Sequence, residues 1–142
     1  MVIIAMKKRW KTAIITLSDK GYAGEREDKS GPLILEMIEE AGYEAAEVVL
    51  LPDEQQMIEE KLIELCDKKH MDLILTTGGT GFSPRDCTPE ATLAVATRNA
   101  PGIAEAMRYA SLQITPRAML SRAASVIRNQ TLIVNLREVQ RQ

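Results

Sequence analysis

Short apolar runs alternate with amphipathic stretches along this chain. Residues 12–17 form a β-branched, nearly continuous apolar run, which predicts a strand covered on both faces. A polar stretch carrying Gly21 and Gly24 follows and reads as a loop. Gly31-Pro32 then opens a helix, with proline in its favoured first turn. Leu33, Ile34, Met37, Ile38 and Ala41 keep helical spacing, and Gly42 ends that helix. Residues 46–51 predict a second strand. The next helix starts near Glu54, with Ile58, Leu62, Leu65 and Cys66 as its apolar stripe. Residues 72–76 predict a third strand, and residues 89–98 a third helix. Pro101 starts a fourth helix, with Ile103, Ala106, Met107 and Ala110 on one face. Met107 and Met119 read as core. Residues 124–127 and 131–136 predict two short strands around Asn129-Gln130, a hairpin.

Strands alternating with helices of this length imply βαβ units, an α/β fold and a mostly parallel sheet with one short antiparallel hairpin strand. Ligands of such sheets sit at the carboxyl ends of the strands. Three segments converge there: Ser18-Asp19, Pro52-Asp53, and the loop after the third strand. Each supplies an aspartate.

Charge and composition narrow the chemistry. Eighteen Lys and Arg stand against 20 Asp and Glu, a formal net charge of −2, which argues against a nucleic-acid surface. No apolar run approaches the length of a membrane span. The apolar start, Met1 to Met6, has its charges after it rather than before it, the wrong order for a secretory signal. Met6 serves equally well as a start. Two distant cysteines, Cys66 and Cys87, lack metal-ligand spacing and point to a reducing cytoplasm. Cys66 reads as core and Cys87 as a small filler. His70, at a helix end, reads as a favourable dipole contact. With one histidine, no Ser/His/Asp or Cys/His set is available.

The loop Thr76-Thr77-Gly78-Gly79-Thr80-Gly81-Phe82-Ser83-Pro84-Arg85-Asp86 carries the strongest chemical signal. It is neither a Walker A loop nor a dinucleotide fingerprint. Three glycines in four residues exceed what a turn needs, and they let backbone N–H groups approach a phosphate. Two carboxylates beside such a loop suffice for Mg²⁺, which keeps waters and bridges substrate phosphates. Asp53 fits a metal ligand or the N-cap of the next helix equally well. Asp86 is less readily a cap, because Thr88 is better placed to cap. Asp19 joins the site or caps a turn. Arg85 serves phosphate or stays solvated.

Four segments together resemble the molybdopterin adenylyltransferase family, the MogA/MoaB type of molybdenum cofactor biosynthesis. They are Thr16-Leu17-Ser18-Asp19, Leu51-Pro52-Asp53-Glu54, the run from Thr76 to Thr92, and Met119-Leu120-Ser121-Arg122. The likeness extends from about Lys11 to Leu136. It implies a three-layer α/β/α sandwich, one domain over residues 1–142, and a cytoplasmic homotrimer. The implied activity is transfer of AMP from MgATP to the terminal phosphate of molybdopterin. The product would pass to a downstream molybdenum-insertion protein; no nucleic acid or membrane is implied as a partner. By the same resemblance, Asp53 and Asp86 hold Mg²⁺ and are catalytic. Ser18, Asp19, Thr77, Gly78, Gly79, Thr80, Gly81, Arg85 and Ser111 line the pterin and nucleotide site. The rival expectation is a non-catalytic molybdopterin-binding module or scaffold of the same fold. After the last strand the family continues with a Pro-Gly loop and a longer helix. Here the chain reads Arg137-Glu138-Val139-Gln140-Arg141-Gln142, so a missing segment is expected at the Leu136–Arg137 join.

Overall fold

The computed structural model describes residues 9–137. The apolar runs of the sequence become strands β1 (Lys11–Leu17), β2 (Glu44–Leu51), β3 (Leu73–Thr77), β5 (Ser125–Arg128) and β6 (Thr131–Leu136), joined by a two-residue strand β4 (Arg98–Asn99). Among the described residues they form one sheet in the order β2-β1-β3-β6-β5-β4. β2, β1, β3 and β6 run parallel, while β5 is antiparallel to both β6 and β4. The register pairs Leu17 with Leu51, Thr16 with Thr77, and Thr77 with Leu136, so four strands end along one edge. That edge carries the candidate site.

Strand alternation divides the core between two faces. Ala13, Ile15, Leu17 and Ile74 pack with Ile58, Leu62 and Leu65 of α3 (Gln55–Ile63) and its continuing π-turn Glu64–Lys68, and with Ala91 and Val95 of α4 (Thr88–Val95). Ile14 packs on the other face with Ile34 and Ile38 of α2 (Ser30–Glu40). Each fully buried Ile or Leu contributes about 1.5–3 kcal/mol relative to exposure. The result is the three-layer α/β/α sandwich, with the expected hairpin at β5–β6.

Several local expectations change. The loop after β1 contains a helical turn, α1 (Asp19–Tyr22), capped by Ser18, whose hydroxyl accepts from Gly21 N–H at 3.0 Å. α4 stops at Val95 rather than near 98, because Arg98 and Asn99 pair with Ile127 and Val126 of β5. Met37 points outward, so α2 buries a narrower stripe than its spacing suggested. α5 (Pro101–Leu112) buries Ala104 and keeps Ile103, Ala106 and Ala110 exposed. Arg108 turns inward there, donating to the carbonyls of Ser121 (3.1 Å) and Ala123 (3.2 Å). Met119, in the 3₁₀ turn Pro116–Leu120, is exposed rather than core. His70 adopts a left-handed conformation, φ 51°, just after the π-turn. No helix among the described residues is long and apolar enough to cross a membrane. The expectations for the first residues, up to Lys8, and for a terminal helix from Glu138 lie outside the described residues.

Candidate active site

Three loops meet at the carboxyl edge of the sheet. Asp53 N–H donates to Asp19 Oδ1 at 2.9 Å, and Asp19 N–H donates to Asp53 Oδ2 at 3.2 Å. Arg85, from the loop after β3, closes the group: Nε donates to Asp19 Oδ2 (3.0 Å) and Nη2 to Asp19 Oδ1 (3.1 Å) and Glu54 Oε1 (2.9 Å). Arg85 is therefore neither simply solvated nor free for an anion; two carboxylates hold it. Asp53 does not cap α3. Glu54 occupies the cap position and makes no side-chain cap bond.

The two aspartates differ electrostatically. The Arg85 guanidinium, then the Asp53 backbone N–H, hold the Asp19 carboxyl below the usual aspartate value. Burial, then the Asp19 charge, push the Asp53 carboxyl up, and the Asp86 charge adds to this. Asp53 Oδ1 is buried without a hydrogen-bond partner among the described residues. Burial and the charge of Asp53 also push the Cys87 thiol up, so it stays a neutral thiol.

The glycine loop is pinned through its carbonyls. Thr88 Oγ1 donates to Gly78 O at 3.0 Å and Thr88 N–H to Gly79 O at 3.2 Å. Arg122 N–H donates to Thr80 O (2.8 Å), Arg122 Nε to Gly81 O (2.7 Å), and Arg122 Nη2 to Asp86 O (3.0 Å). In a trans peptide the N–H points opposite to the C=O. Pinning these carbonyls turns the following N–H groups away from Thr88 and Arg122. Gly78 (φ 96°) and Gly79 (φ 70°) supply left-handed conformations. A Cβ at Gly78 would run into Leu17 O; one at Gly79 would collide with Thr88 Oγ1 and lie 3.0 Å from Asp53 Oδ1. Thr88 is thus a loop staple, not the cap that its position suggested.

These groups line a polar cleft of about 1320 Å³ between the strand ends and the start of α2. Ser18, Asp19, Asp53, Thr77, Gly78, Gly79, Arg85 and Asp86 all border it. Thr80 and Gly81 lie behind, with Thr80 buried against Arg122. Ser111 is elsewhere: it lines a smaller recess of about 350 Å³ with Met107, Ser121, Leu136 and Arg137. Thr77 Oγ1 donates to Arg137 O at 3.4 Å, which connects the two spaces.

Two residues that shape the site had no assigned role in the sequence reading. Arg122 is part of a recognisable Leu-Ser-Arg run, yet nothing local shows that it reaches the loop 41 residues earlier. Asn135 is fully buried at the end of β6, accepting from Ala124 N–H and donating to Thr76 and Thr92 hydroxyls. A polar residue interrupting an apolar strand was its only signal.

The residues present fit a hard divalent cation. Asp53 Oδ1 is an orphaned acceptor, and the Asp86 carboxylate, which accepts from Ser83 N–H at 3.0 Å, sits across the same loop. Among the described residues no three His, Cys, Asp or Glu side chains form a metal cage. One or two carboxylates completed by substrate phosphates is the pattern Mg²⁺ favours.

Fold and site define an α/β/α protein with a large cleft at the carboxyl ends of its parallel strands. Residues 13–136 match the family described as probable molybdopterin binding domain, and the chain belongs to that family. The molybdopterin adenylyltransferase of Haemophilus influenzae is 46% identical over 128 residues, 89% of this chain and 65% of that protein. The protein of the same name from Escherichia coli K12 is 46% identical over 128 residues, covering 89% and 66%. The chain thus spans just under two thirds of the length of these two relatives. The structure of the molybdopterin biosynthesis enzyme MoaB from Thermus thermophilus matches with a TM-score of 0.85 at 46% identity, covering 92% of this chain and 82% of that one.

Proposed function

We propose that this chain is a Mg²⁺-dependent molybdopterin adenylyltransferase. The terminal phosphate oxygen of molybdopterin attacks the α-phosphorus of ATP. The bond from that phosphorus to the oxygen bridging to the β-phosphate breaks, and pyrophosphate leaves with that oxygen. Such a transfer needs alignment and charge neutralisation more than proton transfer, so the absence of a catalytic histidine is no obstacle.

The carrying observation is the buried, unpartnered Asp53 Oδ1 beside a glycine loop whose carbonyls are tied back. Mg²⁺, when bound, neutralises phosphate charge at the reacting centre; Asp53 and Asp86 are the residues that would hold it. Gly78 and Gly79 bind phosphate oxygens through backbone N–H groups, while Thr80 and Gly81, outside the cleft lining, hold the loop in place through their carbonyls. Ser18 and Thr77 border that space, and Ser111 belongs to the less polar recess that would accept the pterin. The names of the two relatives agree with this assignment.

Assembly as a homotrimer is part of this reading; apolar side chains left exposed on and after α5, among them Ile103, Tyr109, Ile114 and Met119, offer a surface for self-association. The two free cysteines favour a cytoplasmic protein. The adenylylated product is then the substrate of a molybdenum-insertion protein. Incubation with MgATP and molybdopterin, followed by chromatography for adenylyl-molybdopterin, tests the proposal. Pterin binding without product would favour the non-catalytic binding module.

A further inference from the structure

Glu54 has no place in the site as assigned so far. It stands at the start of α3, where a carboxylate would ordinarily turn toward the helix N–H groups. It makes no such cap bond. Its carboxylate reaches across to Arg85 Nη2 on a different loop, at 2.9 Å. Arg85 borders the cleft beside Asp53, Gly78 and Gly79. A polyphosphate entering that cleft meets Asp19, Asp53 and Asp86, and finds the arginine already engaged.

The two partners of Arg85 are unequal. Asp19 takes a two-pronged grip, Nε to Oδ2 and Nη2 to Oδ1, and is itself fixed by the Asp53 backbone. Glu54 takes one hydrogen bond, with both its side chain and that of Arg85 about half exposed, 53% and 55%. An exposed single pair of this kind is weak, and water and salt screen it. A phosphate offers more charge and a geometry matched to the guanidinium fork. The exchange therefore falls at Glu54, with Asp19 as the pivot.

We propose that Glu54 is a displaceable counter-ion: it holds Arg85 off the phosphate position in the resting protein and yields it to an incoming polyphosphate. Glu54 is then a positioning residue that acts through Arg85. It keeps Arg85 doubly paired in the resting protein and sets how much anionic charge is needed to open the second pair. This rests on reading the cleft as a polyphosphate site.

The sign of the effect separates this role from a structural one. A structural ion pair, when broken, loosens the loops and weakens binding. A competing counter-ion, when removed, strengthens it. The full chain and its Glu54→Gln variant are titrated calorimetrically with inorganic pyrophosphate at fixed magnesium. Glu54→Gln should bind pyrophosphate roughly two- to fivefold more tightly, the range expected for an exposed pair. In an Arg85→Gln background the same substitution should change nothing, since the competitor's target is gone. Unchanged or weaker binding in Glu54→Gln overturns the proposal. So does tightening that persists without Arg85, which would reflect general charge, and so does the absence of pyrophosphate binding in all forms. AMP transfer by the parent protein is scored separately. Transfer without tightening removes this inference alone, whereas tightening without transfer keeps it and removes the adenylyltransferase reading.

Discussion

Asp19 and Asp53 exchange backbone N–H bonds across the ends of β1 and β2, each carboxylate accepting from the other's amide. The exchange ties two loops together and sorts the two acids. Both Asp19 oxygens are engaged, by Arg85 and the Asp53 amide. Asp53 keeps one oxygen, buried and without a partner among the described residues. Identical side chains at equivalent strand ends therefore have different chemical capacity, and Asp53 is the one left with an acceptor to offer.

Loss of that acceptor should remove turnover without unfolding the protein. Asp53→Asn and Asp86→Asn are each expected to lower kcat/KM for AMP transfer by about a hundredfold or more, roughly 3 kcal/mol of lost transition-state stabilisation. Steady-state assays with circular dichroism alongside check this. Near-parental turnover in both variants would remove the assigned role.

The same oxygen has a cost for stability that depends on pH. Burial and the Asp19 charge raise the Asp53 carboxyl above its unfolded value. Folding then favours its protonated form, so its contribution is best below the unfolded value and is lost as pH rises through the folded one. Asp19 has the opposite sign: lowered by Arg85, it stabilises above its unfolded value and loses this as pH falls. Asp53→Asn should therefore raise Tm at pH 7, and the gain should shrink as pH falls through the raised folded value and be gone below about 4. Scanning calorimetry at both pH values reads it, and a Tm at pH 7 below the parent's would contradict this assignment.

Gly79→Ala separates strain from collision. Gly79 and Gly24 both have positive φ, but a Cβ at Gly24 meets nothing within 4 Å, whereas one at Gly79 strikes Thr88 Oγ1. Backbone strain alone should cost about 1 kcal/mol at Gly24. Gly79→Ala should cost more, and should also weaken pyrophosphate binding. Urea denaturation of the two variants gives the comparison; equal costs would mean that the Thr88 staple moves freely.

Arg122 holds the far side of the loop. Arg122→Ala leaves the Gly81 and Asp86 carbonyls without their guanidinium partner. A loss of about 1–3 kcal/mol is expected. Arg122→Lys should recover little of it, because an ammonium cannot reproduce the forked geometry that spans Gly81, Asp86 and Glu90. Full recovery by lysine would reduce Arg122 to a surface charge.

The strands and the meeting of three loops at their carboxyl ends were legible because they are written locally. Ile14 and Ile15 lie in an unbroken apolar run, and Gly78-Gly79 immediately follow an apolar strand. Periodicity served less well where one face meets no partner: Ile103, Ala106 and Ala110 share a helical face that stays exposed. Thr88 and Arg122 were misread or left without a role because their hydrogen bonds run to Gly78 and Gly81, 10 and 41 residues away. The pairing of Arg85 with Asp19 spans 66 residues and depends on where three loops come together. No local pattern carries that information.

Labelled substrate gives the sharpest test of AMP transfer. The protein is incubated with magnesium, molybdopterin and ATP labelled at the α-phosphorus. Label should enter a molybdopterin-linked product in equal amount with released pyrophosphate, and Asp53→Asn should slow both together by about a hundredfold or more. Label remaining in ATP while molybdopterin is bound, or equal transfer by parent and variant, would contradict the adenylyltransferase assignment.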